Sequence, residues 1–224
     1  MSQYEFEGSN EGDWDESGDL AWNEADWQVF LRNSDKEVIR FITTYNKVKD
    51  QDDRLDAAAS LMGWHREDWT SVDEVELDEN DLPDIKSVDM EDICNLDPYP
   101  YTIHRHPIYI TSNALFSFLR ASWEKFMLGN KECNESDLVW GYSVSLADAE
   151  KHCIMAANSL DLGDFLLAVC HFKKAHSALN ESMRINRLFK HQNPKIVKDY
   201  IEETDIRMHD LREIWLRVMS DCRS

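Results

Sequence analysis

The sequence predicts an all-α protein: a C-terminal antiparallel helical bundle, preceded by a small acidic helical unit and a long acidic strap. Glycine and proline number only 7 and 5 in 224 residues, too few for the tight turns of an all-β chain. From Thr111 onward, apolar residues recur at helical spacing in several successive segments. Charge supplies the division into parts. Residues 1–98 hold 28 Asp and Glu against 8 Lys and Arg, whereas residues 99–224 hold 16 of each.

Residues 1–20, rich in Gly, Ser and acids, read as an extended arm. Asn23 to Leu31 predicts a short helix with Trp22, Trp27 and Phe30 as its apolar residues. Ser34-Asp35-Lys36-Glu37 has the spacing of a capping box and predicts a new start. Val38, Phe41, Ile42, Tyr45 and Val48 then carry a helix to about Lys49. A second, Ala-rich helix spans about Asp52 to Met62, with Gly63 as its stop. These elements make up an acidic, Trp-rich unit, residues 1–70.

Within residues 71–98 there are 11 acids and one base, Lys86, without an apolar period. Pro83, Pro98, Pro100 and Pro107 forbid a long helix. Residues 71–107 are therefore expected to form a strap or linker and to mark a domain boundary.

In the bundle, residues 108–224, Leu115, Phe118, Leu119, Ser122 and Phe126 mark one helix, closed by Gly129-Asn130. A short helix is expected over Asp137 to Tyr142. Ser145-Leu146-Ala147-Asp148 reads as a fresh cap, opening a helix with the stripe Leu146, Ala149, Cys153, Ala156 and Leu160. Gly163 ends it. The next helix carries Phe165, Ala168, Val169, Phe172, Ala175, His176, Leu179 and Met183. Asn193-Pro194 predicts the last start, followed by Val197, Tyr200, Ile201, Thr204, Met208, Leu211, Trp215 and Val218. Such amphipathic stripes bury themselves against one another.

The run Leu162-Gly163-Asp164-Phe165-Leu166-Leu167-Ala168-Val169-Cys170-His171-Phe172-Lys173-Lys174-Ala175 resembles the turn and second helix of a tetratricopeptide repeat. Gly163, Phe165, Ala168, Phe172 and Ala175 occupy that motif's places, and Ala156 stands where its first helix needs a small residue. The resemblance covers about residues 149–182 without a second copy, and a solenoid normally needs about three repeats or more. It implies a protein-interaction module built on one helical hairpin.

A net charge of −20 repels nucleic-acid backbones and anionic membranes, so direct binding to either is not expected. Five scattered cysteines without a Cys-x-x-Cys pair, and no secretory signal after Met1, point to a cytoplasmic protein with reduced thiols. No glycine-rich phosphate loop or nucleophile elbow occurs, and no cofactor is expected.

Recognition is the favoured function class: a non-enzymatic interaction or regulatory protein whose acidic aromatic half meets a basic surface. Its candidate contact residues are Trp14, Trp22, Trp27, Trp64 and Trp69, with Asp73, Glu74, Glu76, Asp78 and Glu79. Trp22-Asn-Glu-Ala-Asp-Trp27 and Trp64-His-Arg-Glu-Asp-Trp69 share the form Trp-x-x-x-Asp-Trp, which suits either anchoring on the bundle or engaging a partner. One version of that function is mimicry of nucleic-acid charge in a basic groove. A basic patch (Lys173, Lys174, Arg184, Arg187, Lys190, Lys195 and Lys198) offers an intramolecular counterpart for the strap, residues 73–97. Ile85, Val88, Met90 and Ile93 would supply its apolar anchors.

The rival class is a metal-dependent bundle enzyme. Asp148 and His152 are four apart on one helix, as are Asp205 and His209 on another, so each pair offers an oxygen and a nitrogen on one face. His104 and His106 form a further candidate clip, disturbed by Pro107. His176 is expected on a core face, and Cys153 and Cys170 as inert thiols on or near apolar faces.

Overall fold

A computed structural model of the chain describes residues 22–65, 67–69, 102–130, 137–192 and 198–223. The described residues are all-α: α1 (Glu24–Val48), α2 (Arg54–Met62), α3 (Pro107–Gly129), α4 (Asp137–Asp161), α5 (Phe165–Gln192) and α6 (Lys198–Asp221), with single 3-10 turns at Glu67–Trp69 and Ile103–Arg105. The expected arm, nearly all of the strap and the Asn193-Pro194 start lie outside them.

Paired side chains fix the directions of the helices. Between α3 and α4, Trp123 meets Ser143 and Ser112 meets Cys153. Between α4 and α5, Ser145 meets Ser182 and His152 meets His171. Between α5 and α6, Asn186 meets Thr204 and Phe172 meets Trp215. In every case one number rises as the other falls, so α3 to α6 run up, down, up, down. Phe126 against Tyr200 and Phe116 against Trp215 close the ring between α3 and α6. This is the expected antiparallel bundle.

α1 lies antiparallel to α6, as Tyr45–Asp210 and Lys49–Glu203 show. Phe41, Tyr45, Leu55, Ala58 and Met62 belong to the same continuous core as Leu115, Leu119, Leu160, Phe172 and Trp215. The helices of the acidic unit are thus structural members of the bundle.

Two expected starts are corrected. α1 is one unbroken helix, capped at Asn23: its side chain accepts from the amides of Ala25 and Asp26, and the Asp26 carboxylate accepts from the Asn23 amide. Ser34 is mid-helix, with its hydroxyl directed at the His104 carbonyl 3.4 Å away. Likewise α4 runs through Ser145, whose hydroxyl donates to the Tyr142 carbonyl at 3.0 Å and meets Ser182 at 2.7 Å. With neither Gly nor Pro between 24 and 37 or between 142 and 148, nothing stops the helix before the supposed cap. Gly141 sits inside α4, where a Cβ would come 3.3 Å from Ile185 Cδ1, so its small size serves the approach of α5.

The expected stops hold at Gly63 and Gly163, which adopt φ of +85° and +73°. Their amides donate to Ser60 and Leu160, and the following amides to Ala59 and Ser159, the paired bonds of a Schellman close. α3 begins earlier than Thr111. Pro107 occupies its first turn and His106 caps it, with Nδ1 accepting from the Ile108 amide at 3.2 Å.

Candidate functional site

Asn23 and Asp26 show what the two Trp-x-x-x-Asp-Trp segments do locally. In the first, the Asp26 carboxylate accepts from the amide of Asn23, the residue after Trp22. In the second, Asp68 accepts from the amide of His65, the residue after Trp64, at 2.6 Å. Each Asp folds its segment back on itself, and each pair of indoles comes together, with centroids 5.0 Å apart for Trp22–Trp27 and 5.9 Å for Trp64–Trp69. The repeated spacing therefore has one physical cause.

The two pairs differ in surroundings. Trp64 stacks on the fully buried Phe41 at 5.8 Å, and Trp69 is itself buried in the core. Trp22 and Trp27 instead gather with the buried Phe30 at the start of α1, where Trp27 is 39% exposed. Phe30 continues edge-on to His104, and His104 to Tyr109. A cleft of about 320 Å³ lies between these two aromatic groups, lined by Phe30, Asn33, Ser34, Trp64, His104 and Arg105. Trp14 and residues 73–79 lie outside the described residues.

The negative charge is concentrated in two stretches of the sequence. Residues 1–21 and 70–101 hold 18 Asp and Glu against one Lys, while all other positions hold 26 acids against 23 Lys and Arg. The rest of the sequence is close to balanced, and Trp22 directly follows the first acidic stretch.

In the basic patch, Lys173, Lys174 and Arg187 are exposed along α5. Arg184 is held by Glu181 in two hydrogen bonds of 2.7 and 2.6 Å, and Lys198 stands 3.8 Å from Glu202. The Lys190 side chain and Lys195 lie outside the described residues, as does the proposed strap contact.

The Asp–His pairs do not converge. Asp148 and His152 are on α4, Asp205 and His209 on α6, and these helices are diagonal in the ring. His209 is exposed. His152 meets His171 of α5 instead, Nδ1 to Nδ1 at 3.2 Å. Among the described residues, no three His, Cys, Asp or Glu side chains are grouped to hold a metal ion.

The remaining histidines and thiols have structural explanations. His106 is buried as the α3 cap, and burial lowers its pKa, which keeps the accepting nitrogen unprotonated. His104 turns the other way, toward Thr102 and Tyr109, so the two make no clip. His176 is half-buried, not on a core face: its Nε2 accepts from Arg212 Nε at 3.2 Å. Cys153 is buried and its thiol is pushed up to about 12, mainly by desolvation. Cys170 is exposed, contrary to expectation, because Val169 and Phe172 take the core-facing positions around it.

The α4–α5 hairpin buries Ala156, Ala168, Phe172 and Ala175 completely, while Phe165 is 38% exposed. Beyond what the sequence signalled, Trp140, Leu162 and Leu166 are strongly exposed. Trp140, Val144, Asp148, His152 and Lys174 line a groove of about 500 Å³ along the hairpin. No described helix is long and apolar enough to cross a membrane. No family model, no curated protein and no solved structure matches the chain.

Proposed function

We propose that the protein is a non-enzymatic interaction or regulatory protein whose acidic aromatic half contacts a basic partner. The observation carrying this reading is the Trp22–Trp27–Phe30 cluster with its partly exposed Trp27, which directly follows an acidic stretch of the sequence. Carboxylates steer a cationic partner, and an aromatic anchor supplies most of the affinity. Mimicry of nucleic-acid charge is a specific form of this, in which the partner's own DNA or RNA competes for the same surface. The tetratricopeptide-like hairpin, residues 149–182, with its exposed Leu162 and Leu166, fits an interaction role as well. A cytoplasmic setting suits the scattered cysteines.

A metal-dependent enzyme built on Asp148, His152, Asp205 and His209 is the weaker reading, since the two pairs occupy diagonal helices.

The test is capture from an extract of the source cells with the full chain and with the double variant Trp22→Ala, Trp27→Ala. The full chain is needed, because residues 108–224 alone would lose the core contributions of Phe41, Tyr45 and Leu55. The expected result is a basic protein retained by the natural chain, lost by the variant, and released as salt screens the charges. Equal capture by both chains would overturn the assignment of the indoles.

A further inference from the structure

We infer that His152 and His171 form a two-imidazole chelate for an exchangeable divalent transition-metal ion of the zinc class. The two rings face each other across the α4–α5 interface, with Nδ1 atoms 3.2 Å apart, centroids 5.4 Å apart and planes inclined by 30°. Left to themselves, two neutral imidazoles in this arrangement share one hydrogen bond, and only when one ring takes the Nδ1–H tautomer. A shared ion uses both lone pairs. With metal–nitrogen bonds of about 2.0–2.1 Å at a tetrahedral centre, two ligand nitrogens lie about 3.3 Å apart. The rings are thus already close to the separation that such an ion requires.

The backbones that carry them are fixed. Ala149, Cys153 and Ala156 on α4, and Ala168, Phe172 and Ala175 on α5, are all fully buried around the pair. Access is open, since His152 lines the groove along the hairpin and water can complete the coordination. Asp148, one turn before His152, favours a cation there, while Lys151 and Lys174 oppose one.

Two protein ligands define an open, exchangeable site, unlike the four-ligand structural zinc sites. Occupancy would pin α4 to α5 beside the exposed Trp140 and the hairpin groove.

The test is calorimetric titration of the full chain with Zn²⁺ in a non-coordinating buffer at about pH 7.5. One ion per chain is expected, bound about tenfold or more weakly by His152→Ala and by His171→Ala. His176→Ala and His209→Ala should bind as the natural chain does. Binding should weaken as the pH falls, because protons compete with the ion for the ligand nitrogens. Electron paramagnetic resonance of the Cu²⁺-loaded natural chain reads the ligands without any variant and should show two equivalent imidazole nitrogens. Absence of binding, binding untouched by both substitutions, or a spectrum with fewer than two nitrogens would overturn the site.

Discussion

Arg54, in the first turn of α2, forks onto the carboxylate of Asp210 in α6, which is 1% exposed. Tyr45 of α1 donates its hydroxyl to the same carboxylate. One turn away, the buried Arg207 donates to Glu203 and to Asn46, and its guanidinium lies 3.5 Å from the Phe118 ring centroid. This polar seam ties the first two described helices to the last one and explains why they are part of the bundle.

Removing one partner of a buried ion pair strands the other. Asp210→Ala is expected to cost about 3–5 kcal/mol in urea unfolding at neutral pH, through the uncompensated Arg54. Replacing Arg54 and Asp210 together by Met and Leu should recover much of that loss. Lys49, paired with Glu203 at 2.9 Å where both side chains are a third or more exposed, should cost less than about 1 kcal/mol as Lys49→Ala.

His106 makes stability depend on acid. Burial lowers its pKa in the folded chain below the unfolded value of about 6.5. The folded state therefore binds fewer protons, and its stability is full above about pH 6.5 and falls as pH drops below that. His104, His152 and His176 are shifted in the same direction, chiefly by desolvation, and share the slope. Thermal melts across this range should show a shallower acid loss for His106→Asn, which keeps a capping acceptor without the titration. His106→Ala should cost about 1 kcal/mol at neutral pH as well.

The two Trp pairs should separate cleanly in a stability assay. Trp69→Ala empties a core position and is expected to cost about 3–5 kcal/mol. Trp27→Ala, at a position 39% exposed, should cost clearly less. Partner capture should follow the opposite order once folding is controlled by circular dichroism.

Much of the fold was legible because apolar stripes reveal helices whatever their partners, and because Gly63 and Gly163 mark positions that need positive φ. Ser34 and Ser145 misled because a hydroxyl followed by an acid three residues on also occurs inside helices, where nothing has stopped the preceding turn. Arg207 and Asp210 were invisible for a related reason: periodicity assigns charged residues to the outside, and only the meeting of α1, α2 and α6 makes them core. His171 became relevant to His152 only through the hairpin register around Gly163. The Trp spacing was readable, but not its cause, since a side-chain-to-amide bond leaves no mark on composition.

If the acidic stretches serve recognition and the described helices serve folding, the two roles separate in one experiment. The direct measurement is a full-length variant carrying Asp73→Asn, Glu74→Gln, Glu76→Gln, Asp78→Asn and Glu79→Gln, assayed for melting temperature and for capture of the basic partner. The expected result is an unchanged melting temperature with capture strongly reduced. Undiminished capture, or a large fall in melting temperature with capture intact, would contradict it.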